Sequence, residues 1–213
     1  RIKLKAKKLS KIDLNFLQNK KIISEIKKGL KVENFHGISI DTRSLKKNNL
    51  FLTIKGKNND GSIFIPQALK KGAKYIVSSK NIRKYKNKTI KVNDEKNFLK
   101  NFASKKRKYT KAKIFAITGS SGKTSLKNIL KDLLQNFGET LSSPKSFNNQ
   151  LGVPISLSQL QIKHKFGIFE IGMSKAGEIN KLSKLVSPQI GVITNIGEAH
   201  IENFKNVRGI ADS

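Results

Sequence analysis

The stretch KIFAITGSSGKTSLKNILKDLLQNF, Lys113 to Phe137, decides the fold of the second half of this chain. Ile114 to Ile117 form a short apolar run of the kind a buried parallel strand has. Thr118 to Thr124 follow as a glycine-rich turn ending in Gly-Lys-Thr. Leu126, Ile129, Leu130, Leu133, Leu134 and Phe137 then recur at helical spacing and are expected on one buried face. Backbone N–H groups of such a loop, at a helix N-terminus, form a cradle for phosphate. At this spacing Lys123 would reach the β- and γ-phosphates of a nucleoside triphosphate, and the Thr124 hydroxyl would bind Mg²⁺. The general pattern G-x-x-x-x-G-K-[ST] asks for a glycine where Ile117 stands, and the first glycine here is Gly119. The alternative is a plain strand-to-helix turn with a solvated lysine; the order strand, loop, helix favours the phosphate reading.

Further along, strands and helices alternate. Thr140–Ser142, Phe166–Ile171 and Ile190–Asn195 read as strands, and Asn149–Leu160 and Gly177–Val186 as helices, the latter stopped by Pro188. This alternation predicts an α/β fold with a doubly wound parallel sheet, whose ligands sit at the carboxyl ends of the strands. Residues 111–213 are therefore expected to be the first part of a phosphate-loop domain.

Residues 1–110 predict a smaller α/β domain. A basic helical region extends to about residue 34, with residues 1–21 set apart as a loose basic arm and Leu14, Leu17, Ile22, Ile23, Ile26 and Leu30 as apolar contacts. Strands are expected at His36–Thr42, Leu50–Ile54, Tyr75–Val77 and Thr89–Val92. A polar turn spans Lys55–Ser62, and a short helix runs from near Pro66 to Gly72. A helix capped by Asp94 carries Phe98, Leu99 and Phe102 and ends in the basic turn Lys105–Lys108, with a linker at Tyr109–Lys113.

Composition narrows the function classes. The 213 residues contain no cysteine, which excludes disulfides and thiolate metal sites and fits a reducing compartment. No apolar run reaches 18 residues, and the basic N-terminus lacks a signal-peptide core. The net charge of +30 is lopsided: residues 1–113 hold 33 Lys+Arg against 7 Asp+Glu, and the remainder 11 against 7. A nucleic-acid surface is one reading. Scattered lysines, few arginines and little aromatic interleaving favour a solvated lysine-rich surface instead, and no nucleic-acid partner is expected.

Several polar residues are placed to do chemistry. Glu170 ends an apolar strand 47 residues after Lys123, where a carboxylate can hold Mg²⁺ through oxygen. His200 follows another strand end, in Gly197-Glu198-Ala199-His200, and is a candidate metal ligand at the same edge. Asn148 and Asn149 precede Gly152-Val153-Pro154 and either orient phosphate and substrate or make turn hydrogen bonds. Ser39, Asp41, Thr42 and Arg43 cluster after a strand; local chemistry alone favours an Asp41–Arg43 ion pair there. His36 and His164 have no comparable setting.

Taken together, these residues resemble the Mur ligases, ATP-dependent amide-forming enzymes of bacterial peptidoglycan synthesis. The resemblance runs from about Ile22 to Ser213. Ser39-Ile40-Asp41-Thr42-Arg43, Leu50-Phe51 and Lys55-Gly56 look like the family's uridine-nucleotide-binding domain, and Thr118–Thr124 matches its T-G-x-x-G-K-T loop, so Ile117 is no departure. Asn148–Pro154, Glu170–Ser174, Gly177–Ile179 and Thr194–His200 look most like the branch that joins D-alanyl-D-alanine to a UDP-N-acetylmuramoyl-tripeptide.

What the resemblance implies is specific. ATP and Mg²⁺ are the cofactors, and the reaction runs through an acyl phosphate in the cytoplasm of the cell, on a monomeric full-length enzyme. Thr118, Gly119, Ser120, Ser121, Gly122, Lys123 and Thr124 would bind ATP. Lys123, Glu170 and His200 would be catalytic, with metal on Thr124, Glu170 and His200. Ser39, Asp41, Arg43, Asn148 and Asn149 would bind substrate. The family's histidine and acidic residue after Asp60-Gly61 are replaced by Ser62 and Ile63. Its carbamylated lysine, adenine contacts and amine-binding domain would lie past Ser213, so these 213 residues read as a fragment expected not to ligate alone. Rival readings are another Mur ligase, a folylpolyglutamate synthase (disfavoured by the uridine motif), a GTPase (disfavoured because Asn180-Lys181 lacks the N-K-x-D continuation) and a basic nucleic-acid module.

Overall fold

The computed structural model describes residues 14–27, 35–56, 59–144, 147–199, 201–204 and 206–212. The chain divides into two compact units, Arg1–Glu95 and Lys96–Ser213.

In the first unit, helix α1 (Leu14–Ile26) buries Ile22 and Ile23 completely, while Leu14 and Leu17 lie exposed. The expected apolar contacts of this helix thus come from its second half. The amide of buried Asn19 secures the chain that follows, donating to Phe35 O at 3.0 Å and His36 O at 3.2 Å. The expected loose arm falls mostly on residues 1–13, and Leu30 on 28–34, both outside the described residues; residues 14–21 are helical.

Four parallel strands follow: β1 (Ile38–Ser39), β2 (Leu50–Leu52), β3 (Tyr75–Ser78) and β4 (Thr89–Lys91), side by side in chain order. Strand β1 is far shorter than His36–Thr42, because the Ser39 hydroxyl and Asp41 bend the chain out of the ladder at once. Asp60 caps a 3₁₀ turn at Gly61–Phe64 by accepting from Ser62 N at 2.9 Å, and helix α2 (Ile65–Lys70) continues from it with Pro66 in its first turn. Leu45, Phe51, Ile65, Ala68, Ala73 and Ile76 form one buried apolar cluster of this unit.

Helix α3 (Glu95–Tyr109) carries the basic last turn Lys106, Arg107 and Lys108. The two compact units divide between Glu95 and Lys96, in the first turn of this helix. Ala103 of this helix belongs to the second unit's core together with Ala112 and Ile114.

The second unit continues with β5 (Lys113–Thr118), α4 (Lys123–Leu134), β6 (Thr140–Ser142), α5 (Gly152–Ser158), β7 (Phe166–Glu170), α6 (Glu178–Val186), β8 (Ile190–Ile193) and α7 (Val207–Ala211). The strands are all parallel, in the order β6-β7-β5-β8. The chain leaves β5 towards one side and later returns to pair β8 on its other side. The carboxyl end of β5 is therefore a topological switch point, where open α/β sheets bind ligands. Register fixes its neighbours: Ile117 lies opposite Glu170 and Val192, and Thr118 opposite Ile193.

Two expectations need correction. Helix α4 does not bury the whole predicted apolar face: Ile129, Leu133 and Phe137 are 63%, 53% and 64% exposed. The side chain it does bury is Lys127, at 1%. The helix turns the row of Lys123, Lys127, Leu130 and Leu134 inward, and the row through Ile129 and Leu133 stands beside it. Helix α5 begins at Gly152 rather than Asn149, because the Asn149 side chain accepts from Leu151 N and Gly152 N and shapes the turn before the helix.

Candidate active site

Strand β5 delivers Thr118, and the loop after it turns through two positive-φ glycines, Gly119 (φ 130°) and Gly122 (φ 78°). Gly122 is the residue before α4, so the loop opens directly onto a helix N-terminus. Gly119 is needed for space as well as for its backbone angle. A Cβ there would sit 2.2 Å from Thr194 Oγ1 and 2.9 Å from Asn195 O. Gly119→Ala is expected to force Thr194–Asn195 off the loop and to abolish detectable nucleotide binding, read by calorimetric titration with ADP.

The segment after β8 clasps this loop. Ser120 N donates to Asn195 O at 3.0 Å, and Ser121 N to Asn195 Oδ1 at 2.8 Å. Asn195 Nδ2 donates to Ser121 Oγ at 2.9 Å, and the Thr194 hydroxyl to Ser121 O at 2.5 Å. Ser120 Oγ both receives from Gly197 N (2.8 Å) and donates to Gly197 O (3.0 Å). Lys123 folds back over the loop, donating to Gly119 O at 2.5 Å and Ser120 O at 3.3 Å. Its ammonium is thus held where the loop's backbone converges.

Glu170, at the end of β7, is buried and faces the first turn of α4. Its Oε2 accepts from the Thr124 hydroxyl at 2.9 Å and from Lys127 Nζ at 3.1 Å; its Oε1 accepts from Asn148 Nδ2 at 2.9 Å. Burial works to raise its pKa, but the hydrogen bonds from Thr124, Asn148 and Lys127, and the Lys127 charge, prevail and hold the carboxyl below its ordinary value. The Glu170 N–H donates to Ser143 Oγ at 3.1 Å, fixing the backbone that carries it.

Beside them lies a cavity of about 330 Å³ whose lining includes Thr118, Gly119, Ser120 and Lys123 from the loop and α4, and Asn148, Asn149, Met173 and Ser174 from the segments around α5 and β7. Glu178, at the start of α6, ties the far wall together. It accepts from Ser174 N (2.7 Å), Lys175 N (3.1 Å) and Gln150 Nε2 (2.8 Å), and the Ser174 N–H foremost keeps its pKa below the ordinary value.

Thr118–Thr124, Asn148, Asn149 and Glu170 are thus brought together as expected. Asn148 reaches Glu170 directly, while Asn149's oxygen serves the turn. His200 lies outside the described residues. Ser39, Asp41 and Arg43 form their own cluster in the first unit. Ser39 Oγ bonds the Asp41 backbone, and the exposed Arg43 pairs with Asp41 at 2.7 Å, the ion pair that local chemistry favoured. Hydrogen bonding from Arg43 lowers the Asp41 pKa despite partial burial. Lys127, Ser143, Glu178 and Asn195 were missed as site residues. Lys127 was legible in principle, one helical turn after Lys123 and in the same helical row as Leu130 and Leu134.

The residues present fit a divalent cation bound through oxygen. A hydroxyl and a carboxylate face each other beside the phosphate loop, which is the donor chemistry Mg²⁺ takes. Among the described residues no group of three or more His, Cys, Asp or Glu converges, so further ligands would have to come from nucleotide phosphates or water.

Comparison with known proteins agrees with this geometry. The sequence profile of the Mur ligase middle domain matches residues 117–213, and that of the Mur ligase family catalytic domain matches 34–107. The chain belongs to the Mur ligase family. Its Mur ligase relatives include the UDP-N-acetylmuramoyl-tripeptide–D-alanyl-D-alanine ligase of Buchnera aphidicola (subsp. Acyrthosiphon pisum), 42% identical over 82% of this chain and 38% of that protein. The enzyme of the same name from Rickettsia prowazekii is 40% identical over 84% of this chain and 40% of its own. Among solved Mur ligases, MurF from Acinetobacter baumannii superposes with a TM-score of 0.79 at 29% identity, covering 92% of this chain and 44% of that one. MurF from Thermotoga maritima in complex with ADP gives 0.72 at 28% identity, covering 83% and 41%. The chain therefore spans about two-fifths of the length of the curated relatives named here.

Proposed function

We propose that the full-length protein is a cytoplasmic, ATP- and Mg²⁺-dependent ligase that joins D-alanyl-D-alanine to UDP-N-acetylmuramoyl-tripeptide in peptidoglycan precursor synthesis. The observation that carries this reading is the meeting of Thr124, Glu170 and Asn148 beside the phosphate loop, in a chain whose relatives bear that enzyme's name.

In this reading the loop N–H groups and Lys123 receive the β- and γ-phosphates. The γ-phosphoryl passes to an oxygen of the tripeptide's terminal carboxylate, giving an acyl phosphate and ADP. The dipeptide amine then attacks the carbonyl carbon; the new C–N bond replaces the C–O bond to phosphate, and the amine gives up a proton. No side-chain nucleophile is required, because positioning and charge stabilisation do the work. Mg²⁺ on Thr124 and Glu170 would neutralise charge on the transferring phosphoryl group. His200 is assigned to a second metal on the family resemblance. Ser39, Asp41 and Arg43 are assigned to the uridine-diphosphate end, and Asn148 and Asn149 to shaping the site around ATP and substrate.

Acceptor choice tests the subtype. With ATP and the UDP-linked tripeptide, D-alanyl-D-alanine is expected to support ADP release, while glutamate, lysine and diaminopimelate with their matching shorter UDP-linked precursors are not. Turnover with one of those amino acids instead would assign another Mur ligase.

A further inference from the structure

One buried charge has no part in the scheme above. Lys127 is 1% exposed, and its ammonium lies 3.1 Å from Glu170 Oε2. Glu170's other side-chain partners, Thr124 and Asn148, are neutral. Lys127 stands one turn beyond Lys123 on α4, so the helix that starts at the phosphate loop also grips the carboxylate at the end of β7. Lys127 and Asn148 hold the two carboxylate oxygens separately, which fixes the plane of the carboxyl group. Thr124, on the same helical turn, meets Oε2 as well.

We infer that Lys127 is a positioning residue that sets the Glu170 carboxylate against Thr124 for a divalent cation arriving with nucleotide phosphate. It acts through Glu170 and touches neither nucleotide nor substrate. A lysine buried against a carboxylate could instead serve burial alone, contributing to stability and not to cation use. The two roles separate in the cation dependence of nucleotide binding. Partners that orient a metal ligand typically change metal affinity about 10–100-fold when removed, whereas a purely structural pair changes the melting temperature and leaves that dependence alone.

The inference rests on the nucleotide and cation site proposed above. Its test is calorimetric titration of the full-length protein with ADP, with and without Mg²⁺. In the wild type, Mg²⁺ is expected to strengthen ADP binding. In Lys127→Met that strengthening should fall by about 10–100-fold while metal-free ADP affinity changes little, and Lys127→Arg, which keeps the charge, should recover part of it. In a Glu170→Gln background, Lys127→Met should cause no further loss, since its action passes through the carboxylate. If methionine prevents folding, Lys127→Gln keeps a donor without the charge and should show the same loss. Full Mg²⁺ strengthening in a folded Lys127→Met or Lys127→Gln protein, with only a lower melting temperature, would overturn the inference. Failure of the wild type to bind ADP at all would instead overturn the site assignment beneath it.

Discussion

Replacing Lys123 with alanine is expected to lower ATP-dependent amide formation by about 10²–10³-fold, the usual cost of removing one donor aimed at developing transition-state charge. The fold should hardly notice. Lys123 is only half-buried, and its ammonium bonds two carbonyls of its own loop, Gly119 O and Ser120 O. Those carbonyls lie on the cavity rim, where water can replace the lysine. The loop's shape is set independently by Asn195, Thr194 and Gly197. Coupled ADP-release kinetics and a thermal melt check both halves of the prediction. A variant that keeps near-normal turnover would remove Lys123 from the phosphate site; one that melts far below the wild type would show that the loop depends on it.

Glu170→Ala should behave differently, because stability and activity fall together. The substitution removes the carboxylate from a pair whose side chains are each 2% exposed. It takes away the carboxylate that pairs with buried Lys127, and breaking such a pair costs about 3–5 kcal/mol. It also leaves the Thr124 hydroxyl and the Asn148 amide without their partner. Glu170→Gln isolates the chemistry. It preserves volume and can still accept one hydrogen bond while withdrawing the charge that a cation needs. Its melt should lie between those of wild type and alanine, with amide formation down by at least about 10²-fold. A glutamine variant with wild-type rate would place the cation elsewhere.

Lys123 and Lys127, one helical turn apart, differ in what the sequence could reveal of them. The order strand, loop, helix, the parallel alternation and the placing of Glu170 beside the loop were all legible. Each follows from local periodicity plus the rule that ligands gather at strand carboxyl ends. The burial pattern on α4 was not. A run of leucines and isoleucines at helical spacing suggests an inward apolar face, yet the described structure turns Lys127 in and leaves Ile129, Leu133 and Phe137 exposed. The reason is tertiary: the end of β7 supplies the Glu170 carboxylate, whose Oε2 accepts from both Thr124 and Lys127, and the periodicity of α4 carries no information about that counter-charge. The role of Asn195 was not legible for a related reason. Its side chain matters because β8 returns beside β5, a pairing between residues far apart in sequence, so that Asn195 clamps Ser121 across 74 positions. Asn149 shows the opposite case. Turn formation and ligand orientation were both open from sequence, and its oxygen is engaged by Leu151 N and Gly152 N.

The central claim is that this phosphate site activates a carboxylate for amide formation. Its most direct test is ADP release by the full-length protein, measured with ATP and Mg²⁺ in the presence of UDP-N-acetylmuramoyl-tripeptide, D-alanyl-D-alanine, or both, with the amide product quantified alongside. The account predicts sustained ADP release only when both are present, with one amide formed per ADP. Equal ADP release without either substrate, or ADP release with no amide product, would contradict it.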